Sequence, residues 1–283
     1  MHSIGEASKA SNARRANSLT SMDLWLDGFA LFNFVCLSGD IALAHSENGF
    51  RVRMEYFPIW FSVAAAVCLF AGVILRLKAG QTSAWDYIGH IVGFASVVVG
   101  TAGVVYHLDS RFFYERTLKS LTYAAPFAAP MAFVGLGCVL IMNRMVEPRS
   151  KEWTRWVLFF TLGGFAGNFV LSLTDHAVNG FFVWAEWIPV ASSAFAVAFL
   201  AVLIANPSGE NLLLTAAVLM IQFLVGGLGF LLHLRADFHG PAERLFPNII
   251  HGAPPFAPLL LPNLAMLGLL GLIALARDHV ASA

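Results

Sequence analysis

Two histidines and a glutamate recur at matching places in the two halves of this chain of 283 residues. Residues 45–58 read HSENGFRVRMEYFP and residues 176–189 read HAVNGFFVWAEWIP; both fit H-x2-N-G-F-x4-E-x2-P without a gap. VGTAGVVYHL at 99–108 and VGGLGFLLHL at 225–234 share V-G-x2-G-x3-H-L. A weaker echo sets Pro126-Phe127-Ala128 against Pro255-Phe256-Ala257. The order is the same in each half, the signature of a tandem duplication. His45, Glu55 and His107 therefore answer to His176, Glu186 and His233. Neutral imidazole binds zinc, copper, iron and haem iron, and a carboxylate completes a two-His-one-Glu set. These six residues are the candidate ligands of a transition metal or haem. The spacing lacks the H-E-x2-H of zinc proteases and the E-x2-H of di-iron bundles, so it names no metal.

Each repeated residue also has a purely structural explanation. Asn48-Gly49 and Asn179-Gly180 suit a turn, because both residue types tolerate positive φ. Glu55 and Glu186 fall at the start of a following helix, where a carboxylate opposes the dipole. Pro58 and Pro189 suit a helix's opening turn. A histidine at a helix carboxyl end caps carbonyls as a cation. A duplicated turn does not, however, require a histidine on a separate helix at the same depth.

The elements that must position these groups are membrane helices. The chain is 58% hydrophobic and 12% charged, with mean hydropathy +0.71, whereas a soluble domain carries about 25% charge. A spanning helix needs about 20 mostly apolar residues. Eight segments meet that need: 23–45, 56–77, 86–107, 123–143, 153–175, 182–205, 211–233 and 256–276. The fold expected is all-α: a polytopic membrane protein of eight transmembrane helices arranged as two tandem, parallel four-helix repeats. Its divisions are a cytoplasmic tail at 1–21, one repeat at 22–146 and a second at 147–283. An even number of spans per repeat orients both halves alike and excludes an inverted repeat. On this topology all six candidate ligands reach one side of the membrane. Lys9, Arg14, Arg15 and the cluster of Arg144, Arg149, Lys151 and Arg155 make the other side cytoplasmic. That arrangement fits a bacterial-type inner membrane with a cytoplasmic amino terminus. No short apolar core with a cleavage site follows the polar start, so a removable signal peptide is not expected.

Other residues receive local readings. Cys36, Cys68 and Cys138 are scattered through apolar segments, with no C-x2-C pair, and read as buried small hydrophobes. Gly163 and Gly167, four apart, read as a close helix contact, with Gly100/Gly103 and Gly226/Gly229 as further ones. Trp60, Trp153, Trp156, Trp184 and Trp187 sit near helix ends, as membrane-interface tryptophans do. The linkers 108–122 and 234–255 are long enough for short helices that cap one face. Asp40, well inside the first span, is a functional candidate because ionisable groups there are costly. Asp175, Asp237, His239 and His251 enrich the second half in ligand types, and His90 reads as a local helix residue.

Three functions compete. The first is a metal- or haem-centred membrane protein, serving as an electron-transfer subunit or as a membrane enzyme. The second is a parallel-repeat transporter, disfavoured because coupled sites lie near the midplane. The third is a scaffold or accessory subunit of a larger membrane complex. The lipid bilayer is the one certain partner, with other membrane subunits as candidates. Net charge of zero and a pI near 7.1 give no basis for nucleic-acid binding.

Overall fold

The computed structural model describes residues 21–148 and 150–282, with side chains described as far as residue 277. The expected tail at 1–21 therefore lies outside the described residues except for Ser21, as does Arg149. Among the described residues the chain is all-helical, without strands. Long helices are α1 (Met22–Ser46), α2 (Phe57–Ala79), α3 (Ser83–Asp109), α7 (Lys151–Val178), α8 (Trp187–Ala205), α9 (Gly209–Phe238) and α11 (Leu260–Ser282). Shorter ones are α4 (Phe112–Glu115), α5 (Leu118–Thr122), α6 (Met131–Met145) and α10 (Leu245–His251). Tight 3-10 turns at Arg53–Tyr56, Trp184–Glu186 and Ala257–Leu259 lead into α2, α8 and α11.

Among the described residues, seven helical segments are long and apolar enough to cross a membrane. They carry large apolar side chains on outward faces as well as inward ones: Phe32, Val67, Phe94, Val98 and Leu224 are all more than half exposed. Helices apolar all round suit lipid rather than water. Local chemistry sets their ends. Thr82, Ser150 and Ser208 accept from the N–H three residues on and cap α3, α7 and α9. Gly80, at φ 78°, closes α2.

The fourth apolar segment departs from expectation. Its helix, α6, begins at Met131 rather than near 123 and has 15 residues, or about 22 Å of rise. Residues 124–130 form turns instead, because Pro126 and Pro130 cannot donate to a continuing ladder. α6 is held by backbone approach to α3. A Cβ on Gly137 would come within 2.5 Å of the Gly93 carbonyl, and one on Gly100 within 2.9 Å of the Pro130 carbonyl.

The long helices and α6 pack in two rings. α1 lies on α2, α2 on α3, α3 on α6, and α6 returns to α1; α7, α8, α9 and α11 close in the same order. The cores differ. Phe34, Phe61 and Phe133 form an aromatic cluster in the first ring, with centroids 5.7–6.2 Å apart. The second ring is bridged by Asn168 donating to Ser193 at 2.9 Å and Ser192 donating to Gln222 at 2.7 Å. An amide pair between Asn33 and Asn263 joins α1 to α11.

Several local expectations need correction. Cys36 and Cys68 face outward and Cys138 is half-buried; on all-apolar helices the outward face accepts small hydrophobes as readily as the core. Gly163 and Gly167 meet no neighbour, whereas Gly164 packs on Leu264 and Gly226 and Gly229 pack on Pro258. Trp153 is fully buried rather than interfacial, while Trp60, Trp156, Trp184 and Trp187 remain outward. The linkers do carry short helices, and His90 bonds its own helix at Asp86.

Candidate functional site

Consecutive helices run antiparallel, so the carboxyl ends of α1, α3, α7 and α9 gather at one end of the bundle, here called the far end. His45 and His176 lie one residue and two residues before the ends of α1 and α7, and His107 and His233 lie near the ends of α3 and α9. Each turn after the first histidine is built alike. The Phe50 N–H donates to the His45 carbonyl at 3.2 Å, and Phe181 to His176 at 3.2 Å. Positive φ falls on Gly49 (69°) and Phe50 (52°), and on Gly180 (71°) and Phe181 (53°). The left-handed pair is therefore Gly-Phe, not the expected Asn-Gly. A left-handed phenylalanine is strained by about 1–2 kcal/mol. It places the ring against the histidine: Phe50 lies 6.3 Å from His45 and stacks on Tyr56 at 4.4 Å, while Phe181 lies 6.1 Å from His176 and stacks on Trp187 at 3.9 Å. Asn48 receives the Phe50 N–H on its side chain and donates to Glu55 at 3.4 Å.

These turns bring the expected groups together. His45 Nδ1 lies 3.8 Å from Glu55 Oε2, and the His45 and His107 rings are 6.2 Å apart and near perpendicular. In the second half His176, Glu186 and His233 stand at the equivalent turn and helix ends. His107 Nδ1 meets the Pro126 carbonyl at 2.9 Å and His233 Nδ1 meets the Pro254 carbonyl at 2.8 Å. A carbonyl only accepts, so each Nδ1 carries the proton and each Nε2 is left as a lone-pair donor. This is how ligand histidines are oriented in metal sites. The register is Pro126/Pro130 against Pro254/Pro258, one residue from the Pro126/Pro255 echo, because only this spacing gives each histidine its carbonyl and each glycine pair its proline.

The carboxylates are less well served. Glu55 Oε2 and Glu186 Oε2 are buried without a hydrogen-bond partner. Burying such an atom unpaired is costly. Two groups on one tetrahedral zinc lie about 3.4 Å apart, so the His45–Glu55 gap of 3.8 Å is a few tenths of an ångström wide of that. Among the described residues, no three His, Cys, Asp or Glu side chains are already gathered as a metal-holding group. The donors match a transition metal by residue type and by their free lone pairs.

Other singled-out residues lie apart. Asp40 and Asp175 face outward. His239 turns back onto Arg235 of its own helix, and His251 is exposed at the end of α10. Asp237 alone is fully buried, at 1% exposure.

At the near end, where α1 begins, the structure shows a polar centre the sequence reading missed. Asp27 is held bidentately by Arg144, with Nη1–Oδ1 and Nη2–Oδ2 both 2.8 Å. Trp85 donates its indole N–H to Asp27 at 2.8 Å, and Asn143 donates to Asp27 at 3.0 Å. The guanidinium lies 3.7 Å over the Trp85 ring, and Gly89 leaves it room, since a Cβ there would strike it. Trp153 of α7 donates to Asn143 at 3.2 Å, which explains its burial. Beside it Asp23 pairs with Arg76 at 2.9 Å. Asp23 and Asp27, one turn apart in an apolar helix, were the available signal: ionisable groups in a span imply partners. No family model, curated protein or solved structure matches the chain.

Proposed function

We propose that this chain is an eight-span membrane protein of two tandem four-helix repeats, binding a divalent transition metal through His45, Glu55, His107, His176, Glu186 and His233. The observation that carries the reading is a pairing found in each half. One histidine is fixed through Nδ1 with its Nε2 free, and one glutamate oxygen is buried without a partner. Imidazole and carboxylate suit zinc, iron and manganese. The recurrence of turn, histidine–carbonyl bond and glycine–proline contact supports duplication, with α6 as a short fourth span completed by the turns before it. The exposed positive charge of Lys151 and Arg155 supports a cytoplasmic near end and an outer far end, as in a bacterial inner membrane. A bound metal at the outer face suits an electron-transfer subunit or a membrane enzyme, and either role calls for membrane partners.

Metal analysis and an absorption spectrum of detergent-purified protein test this. The expected result is bound metal in wild type that falls at least tenfold in a His107→Ala/His233→Ala double variant of unchanged helicity. A Soret band would assign haem in place of a bare ion. Wild type that takes up neither metal nor haem would leave the scaffold reading, in which the repeated groups only lock loops.

A further inference from the structure

The two far-end turns share a backbone and carry different chemistry. The Phe50 N–H donates to the His45 carbonyl and the Phe181 N–H to the His176 carbonyl. Further on, the Glu55 N–H donates to Val52 and the Glu186 N–H to Val183, each at 3.0 Å. Arg51 therefore stands where Phe182 stands in the second turn, and Arg53 where Trp184 stands. Phe182 and Trp184 are 87% and 76% exposed, an aromatic tip of the kind found at bilayer interfaces. Arg51 and Arg53 are exposed too, and among the described residues neither guanidinium enters an ion pair. Arg111, at the same end, is by contrast bonded to Glu115 at 3.0 Å. Apolar side chains surround the free pair. Val52 and Met54 alternate with the arginines and are more than half exposed, as are Trp60, Val67 and Phe70 of α2. The last three are spaced seven and three residues apart, so they share one outward face that runs from the turn into the span. From Trp60 to Phe70 that face rises about 15 Å, half of a hydrocarbon core of about 30 Å and so the depth of one leaflet.

A fixed positive pair at the head of an apolar stripe one leaflet deep matches an amphiphile with a negative head and an acyl tail. Guanidinium holds phosphate bidentately. A zwitterionic phospholipid brings its own cation to such a site, whereas an anionic one leaves the arginines to neutralise its net charge. We propose that the turn Arg51-Val52-Arg53 seats the phosphate of an anionic phospholipid whose acyl chain runs along Trp60, Val67 and Phe70. The second turn, with Phe182 and Trp184 in the same places, enters the interface without selecting a headgroup. This lipid site uses none of the His and Glu groups and is independent of the metal reading.

Native mass spectrometry of the full chain, released from micelles with equal amounts of dioleoylphosphatidylglycerol and dioleoylphosphatidylcholine, tests this. Wild type is expected to retain phosphatidylglycerol in preference. Arg51→Gln/Arg53→Gln should lower the ratio of retained phosphatidylglycerol to phosphatidylcholine by about fivefold for each arginine removed, with helicity unchanged. Phe182→Arg/Trp184→Arg builds the pair on the second turn and should raise the ratio above wild type, a gain that does not depend on the other variant folding. Glycerol 3-phosphate, which carries the phosphate without acyl chains, should leave the wild-type ratio unchanged. Equal ratios in wild type and Arg51→Gln/Arg53→Gln, or no gain in Phe182→Arg/Trp184→Arg, would overturn the proposal. Displacement of the lipid by glycerol 3-phosphate at the lipid's own concentration would also overturn it, by assigning a phosphate site in place of a lipid one.

Discussion

The near and far ends of the bundle bury polar groups in opposite ways. At the near end both oxygens of Asp27 are taken, by Arg144, Trp85 and Asn143, and the network ties α1, α3, α6 and α7 together. At the far end the glutamates have atoms to spare: Glu55 Oε2 and Glu186 Oε2 are buried without a hydrogen-bond partner. The near end has one loose atom of its own, Asp23 Oδ1, but its other oxygen holds Arg76. A saturated network is what a fold needs to fix helix order. Unsaturated donors, built twice and oriented through Nδ1, are what a ligand needs.

The sharpest way to break this contrast is to remove one charge from the saturated end. Asp27→Ala strands Arg144 in the interior and is expected to destabilise the protein by about 3–5 kcal/mol. Thermal unfolding in detergent reads this, and a loss below 1 kcal/mol would mean the network is not structural. Next in size is Gly226→Leu, where Pro258 and Pro262 leave no space. Overpacking is expected to cost about 1–3 kcal/mol and to move the Pro254 carbonyl off His233, lowering both stability and metal content. Glu186→Gln comes third and sharpens the comparison most. It replaces an unpaired oxygen by a neutral amide, so stability should change by less than about 1 kcal/mol, while metal content falls. An equal stability loss in Glu186→Gln and Asp27→Ala would erase the distinction between the ends. The smallest effect is expected of Phe50→Gly. Relief of the left-handed strain, about 1–2 kcal/mol, is offset by loss of the Tyr56 stack, about 0.5–1.5 kcal/mol. Unfolding should therefore stay within about 1 kcal/mol of wild type.

Much of the far end was legible because its residues recur at matching spacing in the two halves of the sequence. His45, Glu55 and His107 stand out only beside His176, Glu186 and His233, and the offset of four packed helices from one set to the other gives them a common end. The near end was written once. Arg144 read as a cytoplasmic-side charge, since positive residues at helix ends are what topology rules lead one to expect; its partner Asp27 and the neighbouring Asp23 drew no reading at all. Trp153 read as interfacial for the same reason, its position near a terminus saying nothing of the Asn143 carbonyl that draws it inward. The strained Phe50 and Phe181 were hidden behind a turn signal that favoured the residue pair before them. α6 came out short because hydropathy counts Pro126 and Pro130 as tolerable while the backbone does not.

The central claim is that the far end is left unsatisfied to hold a ligand, and ligand-linked stability tests it most directly. A ligand that binds only the folded state at one hundred times its dissociation constant stabilises by about 2.7 kcal/mol. Zinc added to metal-stripped protein should therefore raise the melting temperature of wild type by several degrees, and leave the His107→Ala/His233→Ala variant unmoved. An unchanged melting temperature in wild type, or the same rise in both proteins, would contradict the account.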